Sequence, residues 1–225
     1  MDGIGLALLA ADERTAAAVR KLLPRVEDAN RSGRVWVDQA RVGLADAVLA
    51  NAVAIHAQFH DDSENDSWCH PGSFIIPVAL ALGEAAGAPL LKALNAIAIG
   101  YSATAWVGAK ERVARGLIER GIRAQPTIGT IGAAATAAAM LDLTPEQAAS
   151  AIGMASSITG GVLEPVGSGA DEWRVQSGHA ARGGLLAAQL AQSGVIGSPE
   201  GLEGKRGLAR ALAGLQATPP EWSLQ

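Results

Sequence analysis

One cysteine, one tyrosine and two phenylalanines stand among 225 residues, and no block of basic residues occurs. A single thiol, Cys69, cannot build an internal disulfide framework and fits a reducing, cytoplasmic setting. Few aromatic and β-branched side chains argue against a sandwich or barrel, whose strands depend on them. Basic and acidic residues number 18 and 22, a net charge of −4 with no clustered positive face, so nucleic acid is not an expected partner. No membrane span is expected either. The longest apolar stretch, Thr127 to Leu143, is broken by Gly129 and Gly132 and falls short of the ~20 apolar residues a bilayer needs. The first residues, MDGIGLALLAA, carry Asp2 where a secretory leader would carry positive charge.

What the chain has is alanine, roughly a fifth of all residues, and 27 glycines. With 49% apolar residues, disorder is excluded. The dominant period is helical. Asp12 is expected to cap a helix from Glu13 to Leu23 that Pro24 stops, and Arg25 to Arg34 reads as a polar loop before a short extended RVWV. A helix follows from Leu44 to Gln58. Pro77 is expected to open another, to Ala86, and Pro89 a third, through Val107. Gly121 to Pro126 reads as a break before a small-residue helix from Thr127 to Leu141. Thr144-Pro145-Glu146-Gln147 combines a threonine cap, a first-position proline and a glutamine three residues on, a capping box. A final long helix is expected over Gly178 to Ser193. The expectation is one all-α domain over residues 1–225.

Chemistry concentrates in the most polar segment. Three of the four histidines lie between His56 and His70, with Asp61, Asp62, Ser63, Glu64, Asp66 and Cys69. His56 and His60 have the spacing of two metal ligands on one helix, but no complete metal signature accompanies them, and His56 can equally be a hydrogen-bonded helix residue. No metal and no cofactor are expected. Acid–base work suits the same residues better, because imidazole titrates near neutrality and neighbouring carboxylates tune it. His70 precedes Pro71-Gly72, a turn that would hold the ring at the head of the next helix. Cys69 beside it invites a nucleophile reading, yet adjacent residues in an extended segment usually point apart.

Taken in order, several segments resemble one family. Asp2-Gly3-Ile4-Gly5 with Leu8 is similar to an early L-D-x-x-G-x-x-L helix of the MmgE/PrpD proteins. Asn51-Ala52 through His56 and Asp61-Asp62-Ser63 resembles their N-(G/A)-x-x-x-H-x-x-D-(F/Y)-D-D-T segment, and His70-Pro71-Gly72 its continuation. Gln125-Pro126-Thr127 with Gly129 and Gly132-Ala133-Ala134 resembles H-P-T-x-x-x-G-x-x-G-A-A. Arg174, Gly178, Ala180 and Ala181 sit like K-R-L-H-A-G-x-A-A, and Glu203-Gly204 with Gly207 like E-G-x-x-G.

The resemblance implies an all-α core that dimerises and cofactor-free chemistry on small polycarboxylates, performed between this helical domain and an α/β lid. Such a lid is absent from the 225 residues, and relatives carry a further helix upstream of the matching start. Within the pattern, Phe59 stands for an aspartate, His60 for an aromatic residue, Ser63 for threonine, Gln125 for histidine and Trp173 for lysine. Three readings follow. In the first, a repurposed lyase or isomerase works next to a carbonyl (dehydration, decarboxylation, isomerisation or cyclisation) in a biosynthetic setting, on a small carbonyl- or carboxylate-bearing molecule. His70 is its expected catalytic acid or base, with Asp61, Asp62 and His60. Ser63, Gln125, Thr127, Trp173, Arg174 and Phe59 are the expected substrate contacts. In the second, a separate lid-type protein completes a split enzyme. In the third, the chain is a non-catalytic helical homodimer.

Overall fold

The computed structural model describes residues 2–27 and 32–223. It is all-α apart from one two-stranded hairpin. The chain runs α1 (Asp2–Leu9), α2 (Arg14–Leu22), β1 (Ser32–Arg34), β2 (Arg41–Gly43), α3 (Leu44–His56), α4 (Gly72–Ala86), α5 (Leu90–Gly108), α6 (Arg112–Glu119), α7 (Ala124–Met140), α8 (Pro145–Ser157), α9 (Glu164–Ser168), α10 (Glu172–Gln192) and α11 (Leu208–Ala211), ending in a 3-10 turn over Pro220–Trp222. β1 and β2 are antiparallel, with Gly33 opposite Val42.

α7 is the axis. Every residue of it except Ala139 is buried, because α4, α5, α8 and α10 pack around its whole circumference. A helix enclosed on all sides needs small side chains to let its neighbours approach, and GTIGAAATAAA supplies them. α5 and α10 both approach it closely. A methyl group on Gly184 would lie 2.5 Å from both Ala133 Cβ and the Ala134 nitrogen. Phe74, Ile75, Ile128, Ile131 and Leu185 fill this core. A second apolar cluster gathers Ala7, Val19, Val35, Val42 and Ile55 where α1, α2 and the hairpin lie on the far side of α3.

Several element boundaries differ from those the sequence suggests. α4 begins at Gly72 and carries Pro77 within it, because its N-terminal amide is capped by Asp62 Oδ1, ten residues back, at 2.9 Å. α7 begins at Ala124, with Pro126 inside its first turn, where a proline forfeits no helical hydrogen bond. α10 begins at Glu172, six residues before Gly178. α2 is capped by Glu13, whose carboxylate accepts the Ala16 amide, and not by Asp12. α3 ends at His56. Residues 32–34 of the expected polar loop form β1, and residues 28–31 of that loop lie outside the described residues. The Thr144 capping box forms as read, with both reciprocal bonds.

α5 is a surface helix of an unusual kind. It is 19 residues long and apolar enough to cross a membrane by length and composition alone. One face, with Ala93, Ala96, Gly100, Thr104 and Val107, is buried against the body of the domain. Leu90, Leu91, Leu94 and Ile99 on the other stay exposed.

Candidate active site

Three chain segments converge at the C-terminal end of α3. The loop after α3 brings Phe59, His60, Asp61, Asp62, Ser63 and His70. The first turn of α7 brings Arg123, Gln125 and Thr127, and that of α10 brings Trp173, Arg174, Gln176 and Ser177. The loop is shaped by its own acid. Glu64 pairs with Cys69 through Glu64 N–H to Cys69 O at 2.9 Å, and its carboxylate accepts the Asp66 and Ser67 amides at 2.8 Å each. The turn between α5 and α6 clamps it from outside. Glu111 N–H donates to Asp66 O at 2.8 Å, and Gly108 lies so close to the Asp66 backbone that no side chain fits. Ala109, Lys110 and Glu111 take φ values of 50°, 48° and 70° to reach it, a left-handed run costing about 1 kcal/mol or more per residue.

His56 is the buried centre. Its Nδ1 lies 2.8 Å from Asp61 Oδ2 and its Nε2 lies 2.8 Å from Arg123 Nη2. A guanidinium only donates, so Nε2 must be the acceptor and Nδ1 must carry the hydrogen that Asp61 accepts. Burial lowers the pKa of this ring, the Asp61 bond and charge oppose that, and the nearby Arg123 charge lowers it further. The ring is neutral and single in tautomer. Arg123 also donates to the Trp173 carbonyl and to Gln176 Oε1, which fixes the first turn of α10 against α3. Desolvation lowers the Arg123 pKa to about 10, which still leaves it charged.

His70 is held differently. Its backbone N–H donates to Gln125 Oε1 at 2.7 Å, and its Nδ1 is 2.7 Å from the Asp62 carbonyl. A carbonyl only accepts, so Nδ1 carries a hydrogen and, in the neutral ring, Nε2 is the nitrogen with the lone pair. Nε2 has no hydrogen-bond partner among the described residues, and the side chain is 15% exposed. Asp61 Oδ1 lies 3.8 Å from His70 Nδ1 and is a buried oxygen without a hydrogen-bond partner. The Asp62 carboxylate is occupied elsewhere, accepting from Gly72 N–H at 2.9 Å and from Tyr101 O–H at 2.8 Å. Burial raises its pKa, with those two bonds opposing.

The remaining residues divide between wall, interior and surface. Phe59, Trp173, His56 and His70 form a box of rings, with centroids 4.6 Å apart for Phe59–His70, 5.4 Å for Phe59–Trp173 and 5.1 Å for His56–Trp173. Arg174 stacks over Trp173 at 4.3 Å and donates to Ala57 O, with Asp171 and Glu13 as ion-pair partners. Gln125 and Thr127 are interior. Gln125 Nε2 donates to Ser73 Oγ and Ser177 Oγ, and Thr127 donates back to the Arg123 carbonyl within α7. His60 and Ser63 are exposed, and their side chains make no hydrogen bond, ion pair or ring contact with another described residue. Because α3 ends at His56, His60 does not share its face. Among the described residues no group of three His, Cys, Asp or Glu side chains is placed to hold a metal. The sequence reading gave Arg123 no role, since nothing local marks an arginine as buried.

A model of the MmgE/PrpD N-terminal domain matches residues 1–220. The chain belongs to the MmgE/PrpD family. Relatives include a cis-aconitate decarboxylase-like protein of Aspergillus oryzae, 31% identical over 164 residues, which are 70% of this chain and 34% of that protein. Human cis-aconitate decarboxylase is 30% identical over 188 residues, 80% of this chain and 37% of its own length. The mouse enzyme is 26% identical over 212 residues, 90% and 42% of the two chains. The chain therefore spans well under half the length of these curated relatives. In this MmgE/PrpD domain Gln125 is turned inward and Trp173 stands on the wall.

Proposed function

We propose that the chain is the helical-domain part of a cofactor-independent lyase or isomerase, of decarboxylase or dehydratase type, in which His70 moves the proton next to a substrate carbonyl. The observation that carries this is the Nδ1–H bond from His70 to the Asp62 carbonyl, which leaves Nε2 as a basic nitrogen with no protein partner. When Nε2 takes a proton, the Asp61 carboxylate oxygen 3.8 Å from Nδ1 stabilises the imidazolium. Asp61 is itself oriented by His56, and Asp62 acts through its backbone carbonyl and as the remote cap of α4. Phe59, Trp173 and Arg174 face the substrate, Gln125 holds the His70 backbone, and His60 and Ser63 lie on the approach. The proposed enzyme is soluble and cytoplasmic and works as a homodimer.

A second reading has a further domain or partner chain closing over the site. What favours it is an apolar skirt beside the rings. Phe59 is 51% and Val162 61% exposed, and Val162 O accepts from Gln176 Nε2 next to Arg123. The test is a mass-spectrometric screen of small carboxylic acids and cell extract with wild type, His70→Gln and His70→Ala, alongside thermal melting. Loss of ~100-fold or more in both folded variants is expected for a general acid–base group. Equal turnover by the variants overturns the His70 assignment. Wild type active only after a second protein is added selects the second reading.

A further inference from the structure

Building on the acid–base reading of this site, we infer that Ser73, Gln125 and Ser177 are positioning residues, which aim the His70 ring without touching substrate. A histidine carries four polar atoms, two on the backbone and two on the ring. In His70 all but one are tied. Its N–H donates to Gln125 Oε1 at 2.7 Å, and its Nδ1–H donates to the Asp62 carbonyl at 2.7 Å. Its own carbonyl accepts from Ser73 Oγ at 2.7 Å and from the Ser73 amide at 3.1 Å. Nε2 alone is left without a partner among the described residues.

The tie on the backbone is closed, and its members come from α4, α7 and α10. A peptide N–H only donates, so the Gln125 atom facing it is the oxygen, and Nε2 turns the other way. There it donates to Ser73 Oγ at 2.9 Å and to Ser177 Oγ at 3.1 Å. The two hydroxyls lie 2.7 Å apart. Ser73 gives its hydrogen to the His70 carbonyl, so Ser177 is the donor between them. Gln125 stands 52 positions from Ser73 and Ser177 stands 104 from it, yet all three are at most 2% exposed. None of their polar atoms is orphaned. Moving one member of a satisfied buried network strands another, so the His70 backbone is held in place. A fixed backbone keeps Nδ1 within reach of the Asp62 carbonyl, which sets the tautomer and the direction of Nε2. Ser177 also lies one turn after Trp173 on α10, so the ring is aimed relative to the wall beside it.

A network that only joins three helices would affect stability and nothing else, so the readout is the ring itself. The ¹⁵N spectrum of the imidazoles, taken in alkaline solution where the rings are neutral, separates the Nδ1–H from the Nε2–H tautomer, and His70→Gln assigns the His70 signals. Wild type is expected to hold the Nδ1–H form. Gln125→Met keeps the length but loses acceptor and donor, and is expected to move the ratio roughly tenfold toward Nε2–H, the worth of one hydrogen bond. Gln125→Glu keeps an oxygen for the His70 amide but puts a carboxyl in a buried place. It is expected to melt earlier and still hold the wild-type tautomer. Ser73→Ala is milder, with a shift of about threefold in the same direction, and it decides the matter if Gln125→Met does not fold. An unmoved tautomer in the methionine variant, or in Ser73→Ala where that variant decides, overturns the inference. So does a shift in Gln125→Glu as large as in Gln125→Met. The ring is read without substrate, so an inert His70 in the turnover screen removes the acid–base reading and leaves the aiming of His70 to be decided by the spectrum.

Discussion

Arg123 holds His56 in one protonation state. Its Nη2 sits 2.8 Å from His56 Nε2, and since arginine cannot accept a hydrogen bond, that nitrogen cannot carry a proton while the contact lasts. The native ring thus resists protonation, and its pKa lies below the ordinary 6.5. Between that value and the lower native one the unfolded chain binds the extra proton, so stability must fall as pH drops below about 6.5 and recover as it rises. Asp62 has the opposite sign: its raised pKa removes stability as pH rises from 3.8. Denaturant melts of wild type and His56→Gln, from about pH 7 to about pH 5, separate the two. Wild type is expected to lose stability more steeply on acidification. Parallel curves would show that His56 is not the group that titrates.

Removing the guanidinium tests the same junction without a titration. Arg123→Met keeps length and apolar stem but leaves His56 Nε2, Trp173 O and Gln176 Oε1 without their donor. The expected loss is about 3–5 kcal/mol in urea unfolding, the range for breaking one partner out of a buried charged network. Arg123→Lys keeps the charge but not the fork, and is expected to fall between. A loss below about 1 kcal/mol for the methionine variant would mean that α10 is held by packing alone.

Gly72 couples a helix cap to the catalytic candidate. A methyl group there would lie 2.5 Å from Asp62 Oδ1 and 3.1 Å from Tyr101 Oη, so Gly72→Ala must push Asp62 away. That costs α4 its cap and His70 the carbonyl that fixes its tautomer. About 1–3 kcal/mol is expected, with a shifted His70 imidazole signal in NMR. Tyr101→Phe removes one bond and leaves the cap, so about 1–2 kcal/mol and an unmoved His70 signal are expected. An unmoved His70 in both variants would break the proposed link.

The helical class was legible because alanine and glycine periodicity fixes which faces can approach, and α8 was legible almost to the residue because its cap is local. Helix starts at the site were not. α4 takes its cap from Asp62, and α10 opens with Glu172 exposed and Trp173, Arg174, Val175 and Gln176 half-buried, which blurs its apolar period. The polar run from His60 to His70 was legible as a segment, and the structure brings His70 within 3.8 Å of Asp61. His56 could be seen only as a histidine at metal-ligand spacing or a bonded helix residue. Its partner Arg123 comes from 67 positions away, a distance no local pattern spans.

Cys69 offers a probe of how firmly the site loop is closed, because it is the chain's single thiol. It is 1% exposed, its Sγ–H is directed at Ser67 O, and burial pushes its pKa up to about 12. Thiolate is the reactive form, so the native protein is expected to ignore a disulfide reagent until the loop opens. The loop opens in one of two ways. If it swings free by itself, labelling is fast and barely responds to urea; if it opens only with the whole domain, labelling follows global unfolding. The clamp from the turn after α5 favours the second. Gly108 lies against the Asp66 backbone, so Gly108→Ala must lift that turn away. Labelling of Cys69 is then expected to speed by about tenfold or more beyond what the variant's global stability accounts for, the effect of about 1.4 kcal/mol in local opening. Labelling that tracks global stability alone in both proteins would mean the left-handed run at 109–111 secures something other than the His70 loop.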